Sequence, residues 1–139
     1  MRFRRGEVLY HRKFIYPGTS LACDKLLLVV NKSHSDLDDV AIIPCKTKRK
    51  EDLLPYKPWC DTAFQIFYFE KRIGFYNEGT LLQLHFIQTL SVEYLQQKIA
   101  SGEIERLKNG ATENEFNKII NCLKKIKDDI PIEIQELIF

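Results

Sequence analysis

The stretch Lys25-Leu26-Leu27-Leu28-Val29-Val30-Asn31 decides the fold predicted for this chain. Its apolar residues follow one another without the polar and apolar alternation of a strand that has one wet face. The run has the length of a β-strand and is too short to span a bilayer. A continuous apolar run of this kind predicts a strand that is buried on both faces.

Similar short strand patterns lie on both sides of this run. They cover residues 6–11, 40–45, 64–69 and 82–86. About five short strands joined by short loops predict a small, strongly bent sheet or a partly closed barrel. Because a proline cannot donate to a strand ladder, we expect Pro44 to lie at a sheet edge or at a strand end.

The pattern changes from strands to helices near Ser91, which fits the N-cap of a first helix. Thr112-Glu113-Asn114-Glu115 fits a capping box, and apolar residues recur at helical spacing from Phe116 to Ile126. A last short helix is predicted to start around Pro131. We interpret these apolar stripes as core, and a groove for a partner is the alternative.

These patterns together predict a mainly β fold with C-terminal helices. The chain has the length of a single domain, residues 1–139. Within it we expect a strand-rich small barrel over residues 1–90 and a helical C-terminal extension over residues 91–139. The helices would cover an open face of the barrel and complete its core.

The 139 residues carry a net charge of +2 that is unevenly distributed. Residues 1–50 hold eleven Lys and Arg against five Asp and Glu, whereas residues 51–139 hold ten against fourteen. A basic front is compatible with a polyanionic partner, and an ordinary solvated surface is the alternative.

The four cysteines and the start of the chain bear on location. Residues 1–7 are charged and lead into a strand pattern rather than an apolar signal segment, and no apolar run is long enough to cross a membrane. We therefore expect a cytoplasmic protein with no membrane contact, in which Cys23, Cys45, Cys60 and Cys122 are free thiols.

Common catalytic motifs are missing from the sequence. It has no Cys-x-x-Cys pair, no His-Glu-x-x-His, no glycine-rich phosphate loop, no Gly-x-Ser-x-Gly and no dinucleotide fingerprint. A zinc site built from Cys45, Cys60 and a histidine would require the fold to bring them together, and inert thiols are the stronger interpretation. We expect no cofactor and no metal.

The basic residues remain as candidates for binding a phosphate backbone. They flank the predicted strands, and the candidate nucleic-acid-binding residues are Arg4, Arg5, Arg12, Lys46, Lys48 and Arg49. Aromatic side chains that could stack on bases stand nearby in the sequence, at Tyr10, Tyr16, Tyr56 and Trp59. If the sheet curls into a small barrel, the strand ends that carry these residues would approach one another.

The order of three motifs resembles the MazF/PemK (Kid/CcdB-like) toxin family. These motifs are Arg5-Gly6-Glu7-Val8, then Asp24 to Asn31, then Ile42-Ile43-Pro44-Cys45-Lys46-Thr47-Lys48. The resemblance covers roughly residues 4–90. It implies an SH3-like small barrel with helices, commonly a homodimer, that cleaves single-stranded RNA without a metal ion and is held in check by an antitoxin protein.

The resemblance also implies roles for two residues. Where the family has its catalytic arginine, this chain has Asp24 followed by Lys25, so Lys25 is the candidate cation. Thr47 keeps the hydroxyl that would orient the phosphate. We therefore expect a MazF/PemK-like endoribonuclease with Lys25 and Thr47 as catalytic residues. The alternative is a non-catalytic module of the same fold that binds RNA or a protein.

Overall fold

A computed structural model describes residues 2–32, 39–47, 59–69, 79–107 and 110–139. In these ranges the chain forms eight strands and three α-helices. The strands are β1 Val8–Ile15, β2 Ala22–Val29, β3 Val40–Thr47, β4 Cys60–Asp61, β5 Ile66–Phe69, β6 Thr80–Gln83, β7 Gln88–Leu90 and β8 Ile104–Leu107. The helices are α1 Val92–Ser101, α2 Glu113–Lys125 and α3 Ile132–Ile138.

All eight strands belong to one antiparallel sheet, which confirms the mainly β prediction. The strands follow the order β4-β5-β6-β3-β2-β1-β8, and β7 pairs with β3. One edge of β3 pairs with β2, while its other edge pairs with β7 over Val40–Ile42 and with β6 over Cys45–Thr47. This change of partner makes β3 the strand around which the sheet is organised.

The apolar run in β2 is buried on both faces, as its sequence predicts. Leu26 to Val30 are at most 2% exposed. Leu26 and Leu28 face a core that includes residues of α2 and α3, whereas Leu27 and Val29 face a second core that includes Leu95 of α1. Since successive side chains of a strand point to opposite faces, one short run supplies both cores.

The three helices begin where their capping residues predict. The Ser91 hydroxyl accepts from the Tyr94 N–H at the start of α1. Thr112 and Glu115 form the complete capping box of α2, in which each side chain accepts from the other residue's N–H. Helix α3 begins directly after Pro131. The apolar stripe of α2, including Phe116 and Leu123, is buried in the first core, which supports the core interpretation.

Three local predictions are wrong. Strand β6 ends at Gln83, and Leu84–Phe86 form a 3-10 turn instead of continuing the strand. The C-terminal segment is not wholly helical, because β8 pairs with β1. Pro44 lies inside β3 and pairs with Leu27, at the point where the other edge of β3 changes from β7 to β6. Its missing N–H falls between those two ladders, so a proline is tolerated there.

The expectation of four free thiols is also wrong. Cys60 of β4 and Cys122 of α2 form a disulfide, with their Cα atoms 5.7 Å apart. Cys23 and Cys45 are free. The pairing could not be inferred from spacing, because the two residues are separated by 62 positions and meet only when α2 packs against the β4 end of the sheet.

Candidate nucleic-acid interface

Lys25 lies in β2, opposite His11 of β1, and is partly exposed. Its Nζ atom stands 5.3 Å from the centre of the Tyr16 ring, within the range of a cation–π contact. The Tyr16 hydroxyl in turn donates to Oε1 of Gln83 in β6, at 2.7 Å. Lys25 is therefore held over an aromatic ring that is itself anchored to another strand.

Aromatic rings surround Tyr16 on two sides. The Phe14 ring lies 5.2 Å from it in an edge-on arrangement, and the Phe86 ring lies at 4.9 Å. Burial raises the pKa of Tyr16 to about 12, so the phenol stays neutral at physiological pH and remains a hydrogen-bond donor. We call Lys25, Tyr16, Gln83 and Phe86 the Lys25–Tyr16 cluster.

The end of β3 lies beside this cluster. Leu26 pairs with Cys45, and the same register continued by one residue sets Lys25 across from Lys46. On its other edge, Lys46 pairs with Leu81 and Thr47 with Thr80 of β6. The sheet thus brings Lys25 and the Lys46-Thr47 dipeptide to adjacent strands, although 21 positions separate Lys25 from Lys46 in the sequence.

Asp24 faces away from the cluster, since neighbouring residues of a strand point to opposite sides. It hydrogen-bonds to the hydroxyl of Tyr10, and this bond, with some burial, raises the pKa of Tyr10. The Arg12 guanidinium stands 4.9 Å from the centre of the Tyr10 ring and pairs with Glu105 at 3.6 Å. Arg12, a predicted nucleic-acid contact, is therefore ion-paired at the β1–β8 edge.

Arg4 and Arg5 lie at the opposite end of β2 from Lys25. They precede Gly6, whose N–H donates to the carbonyl of Val29 at 2.8 Å. Lys25 is four residues from Val29 along the strand, roughly 13 Å away. Arg4, Arg5 and Arg106 line a cleft of about 630 Å³. The predicted basic residues that the structure describes thus divide among three places in the fold: Lys46 beside Lys25, Arg12 at the β1–β8 edge, and Arg4 with Arg5 at this cleft.

Other predicted residues lie elsewhere. Lys48, Arg49 and Tyr56 fall outside the described residues. Trp59 is 39% exposed beside β4, where its ring stacks on Tyr68 and the ammonium of Lys118 lies 4.9 Å from its centre.

Sequence reasoning missed two members of the Lys25–Tyr16 cluster, Gln83 and Phe86. The polar position within Leu82-Gln83-Leu84 was a signal for Gln83, because it marks the face on which Tyr16 lies. Phe86 carried no such signal, since its place depends on the 3-10 turn that ends β6.

The zinc site considered as the weaker interpretation of Cys45, Cys60 and a histidine lacks its thiolate ligands. Cys60 is bonded to Cys122, and burial raises the pKa of the Cys45 thiol to about 12, which keeps it protonated. Within the described ranges, no three His, Cys, Asp or Glu side chains are grouped so that they could hold a metal ion.

Comparisons with known proteins give no family for this chain. No protein-family model matches it, and a search of curated proteins finds no match. No helix in the described ranges is long and apolar enough to cross a membrane.

Proposed function

We propose that this protein is a MazF/PemK-like, toxin-type endoribonuclease that binds single-stranded RNA at the Lys25–Tyr16 cluster and cleaves it without a metal ion. The observation that carries the proposal is the position of Lys25, fixed over Tyr16 and one strand away from Lys46-Thr47. Lys25 and Lys46-Thr47 belong to the second and third motifs on which the family resemblance rests.

The architecture supports a small SH3-like barrel. Most of the strands are short, all of them are antiparallel, and β3 shares one edge between β6 and β7. A strand that divides an edge between two partners lets a sheet turn a corner, as small barrels require. The sheet also keeps the three motifs of the resemblance on adjacent strands, β1, β2 and β3.

The cluster has the chemistry to bind an RNA strand. Lys25 supplies a cation for a phosphate oxygen, and the aromatic side chains of Tyr16 and Phe86 offer surfaces on which unpaired bases stack. Because Tyr16 donates to Gln83, its ring orientation is set before RNA arrives. A preorganised aromatic surface reduces the entropy lost on binding.

Cleavage follows from attack of a ribose 2′-hydroxyl on the adjacent phosphorus. The P–O5′ bond breaks as the 2′-oxygen loses its proton and the 5′-oxygen gains one. Lys25 stabilises the negative charge that develops on the phosphorane oxygens. The role of Thr47 in orienting the phosphate rests on the family resemblance alone. The neutral Tyr16 phenol positions Lys25 and does not accept the proton.

A non-catalytic RNA-binding module of the same fold is the second candidate. One observation favours it: in the described part of the chain, no carboxylate or imidazole hydrogen-bonds to the Lys25 ammonium or the Tyr16 hydroxyl. Such a group would be the ordinary acceptor of the 2′-hydroxyl proton.

The test is incubation of the purified protein with mixed single-stranded RNA, with and without a chelator. We expect cleavage that survives the chelator and falls roughly 100-fold or more in Lys25→Ala, with much of it kept in Lys25→Arg. Lys125→Ala, which removes an exposed lysine from the end of α2, is the matched control.

Two outcomes would overturn the nuclease proposal. Salt-sensitive RNA binding that depends on Lys25, without cleavage, would establish the non-catalytic module instead. RNA binding and cleavage that are the same in Lys25→Ala as in the wild type would remove the Lys25–Tyr16 cluster from either function.

A further inference from the structure

A second candidate site lies at the cleft of about 630 Å³ that Arg4, Arg5 and Arg106 line. Its walls come from the turn before β1, the end of β8 and the chain leading into α2. The volume falls in the usual range of small-ligand sites, about 300–1,000 Å³. The cleft is separate from the Lys25–Tyr16 cluster, so a ligand bound there is independent of the proposed function.

Two glycines shape this cleft. Gly6 has φ +84°, and the Glu7 N–H donates to the Arg4 carbonyl across the turn that Gly6 allows. The Ala111 N–H donates to the Gly6 carbonyl at 3.2 Å, and a Cβ atom at Gly110 would overlap the same oxygen. The backbones therefore meet at the cleft with no side chain between them, and the turn presents Arg4 and Arg5 to the cleft.

The arginines of the cleft differ in what balances their charge. Arg106 grips the Glu7 carboxylate with two hydrogen bonds, at 2.7 and 3.0 Å, and donates to the Arg2 carbonyl. Among the described residues, the guanidinium groups of Arg4 and Arg5 have no carboxylate partner, although the Arg4 backbone N–H donates to Oε2 of Glu7 at 3.0 Å. Glu7 is already neutralised by Arg106, so two positive charges in the cleft are left uncompensated.

The Arg5 side chain is supported by an aromatic ring of α2. Its guanidinium carbon lies 4.5 Å from the centre of the Phe116 ring. Stacking on a ring leaves the N–H groups at the edge of the guanidinium free to donate. Arg5 also lines a smaller adjoining cavity of about 290 Å³ next to Thr112, at the start of α2. Glu113, in the first turn of α2, also lines this smaller cavity, so the uncompensated positive charge lies in the larger cleft.

We propose that this cleft binds a phosphate monoester of about the size of a nucleotide, with Arg4 and Arg5 gripping the phosphate. Planar guanidinium groups match phosphate oxygens in a two-point arrangement, and a dianionic phosphate balances two uncompensated arginines. The same phosphate chemistry is offered by a free nucleotide and by the 5′-terminal phosphate of an RNA strand.

The test is titration calorimetry on the full chain with a nucleoside 5′-monophosphate, the matching nucleoside, and oligonucleotides with a 5′-phosphate or a 5′-hydroxyl. We expect the phosphate-bearing probes to bind and their unphosphorylated partners to bind at least tenfold more weakly. The oligonucleotides are titrated into Lys25→Ala, so that the Lys25–Tyr16 cluster does not contribute to their binding. In that variant, tighter binding of the phosphorylated oligonucleotide than of the mononucleotide identifies an RNA end, and the reverse identifies a free nucleotide.

Variants locate the binding in the cleft. Arg4→Ala/Arg5→Ala should weaken phosphate binding roughly tenfold or more, and Arg5→Lys should weaken it less, because lysine keeps the charge but not the fork. Lys124→Ala/Lys125→Ala removes two exposed charges at the far end of α2 and should have no effect.

Backbone amide shifts of the wild-type protein give a readout that needs no variant. The Gly6 and Ala111 signals should move on addition of the mononucleotide. The proposal fails if no phosphate-bearing probe binds, if the double arginine variant binds as tightly as the wild type, or if those two signals do not move.

Discussion

His11 shows at the scale of a single residue how position determines protonation. The side chain is 1% exposed. Its Nδ1 accepts from the Lys13 N–H at 3.1 Å, and its Nε2 lies 2.7 Å from the Tyr94 hydroxyl of α1. Because Nδ1 is an acceptor, the proton of the neutral ring lies on Nε2, which donates to Tyr94. A second proton on Nδ1 would break the bond from Lys13.

The pKa of His11 is lowered, first by burial and then by Lys98, while Glu103 opposes the shift. The folded state therefore binds this proton less readily than the unfolded chain, whose histidine has a pKa of about 6.5. We predict that the free energy of unfolding is highest above about pH 6.5 and decreases as pH falls through the folded-state pKa. Urea unfolding measured from pH 8 to pH 5 checks this.

His11→Gln is the matched variant, because glutamine cannot titrate in this range. The part of the pH dependence that comes from His11 should vanish, leaving a flatter profile from pH 7 to pH 5. Equal slopes for the variant and the wild type would show that His11 does not contribute. Lys13, Tyr94, Lys98 and Glu103 are unchanged in this comparison, so their own titration cancels.

Among the elements, α2 shows how the residue at which a helix begins determines which of its side chains face the sheet. The capping box at Thr112 starts the helix where its apolar face meets the sheet, and Phe116 and Cys122 from that face join the first core. The same start places Thr112 beside Arg5. A shift of the helix start by one residue would rotate the apolar stripe by about 100°.

We predict that Thr112→Ala lowers the free energy of unfolding by about 1 kcal/mol, because the Glu115 N–H loses its acceptor. Thr112→Ser keeps a hydroxyl and should remain close to the wild type. Urea denaturation of the two variants at one pH decides the matter. If the alanine variant were as stable as the serine variant, the cap would not contribute to stability.

The local patterns predicted the elements well where the signal lies within a few residues. The capping box, the helix after Pro131 and the doubly buried run in β2 are of this kind. Strand β8 and the 3-10 turn at Leu84–Phe86 are set by pairing with distant strands, so the local sequence did not indicate them.

Prediction of the candidate sites was limited in the same way. Lys25 and Lys46-Thr47 could be proposed from motif order, but the Gln83 contact depends on β6 lying across the sheet. The cleft at Arg4 and Arg5 is completed by Arg106, which is about 100 positions away in the sequence. Burial of both faces of a strand can be inferred from composition alone. The partner of a polar side chain cannot.

At the scale of the whole molecule, the sheet lies between α1 on one face and α2 with α3 on the other. The disulfide between Cys60 and Cys122 links the β4 edge of that sheet to α2. Its members are separated by 62 positions, so it removes many conformations from the unfolded chain. The disulfide therefore stabilises the folded protein by lowering the conformational entropy of the unfolded chain.

We predict that reduction of the disulfide lowers the free energy of unfolding by about 2–4 kcal/mol. Cys60→Ser/Cys122→Ser should show the same loss without a reductant. Cys23→Ser changes a free, partly buried cysteine and serves as the control. Urea denaturation of these proteins, with and without a reductant, measures the difference. A double variant as stable as the oxidised wild type would show that the cross-link does not stabilise the fold.

The same covalent link has a mechanical consequence. If the chain is pulled between a point before Cys60 and a point after Cys122, the force passes through the sulfur atoms and bypasses the residues between them. At up to about 3.6 Å per residue, those 62 positions hold back roughly 220 Å of extension. That length stays hidden from a stretching force, and strands β5 to β8 stay inside a closed loop, until a reductant opens it.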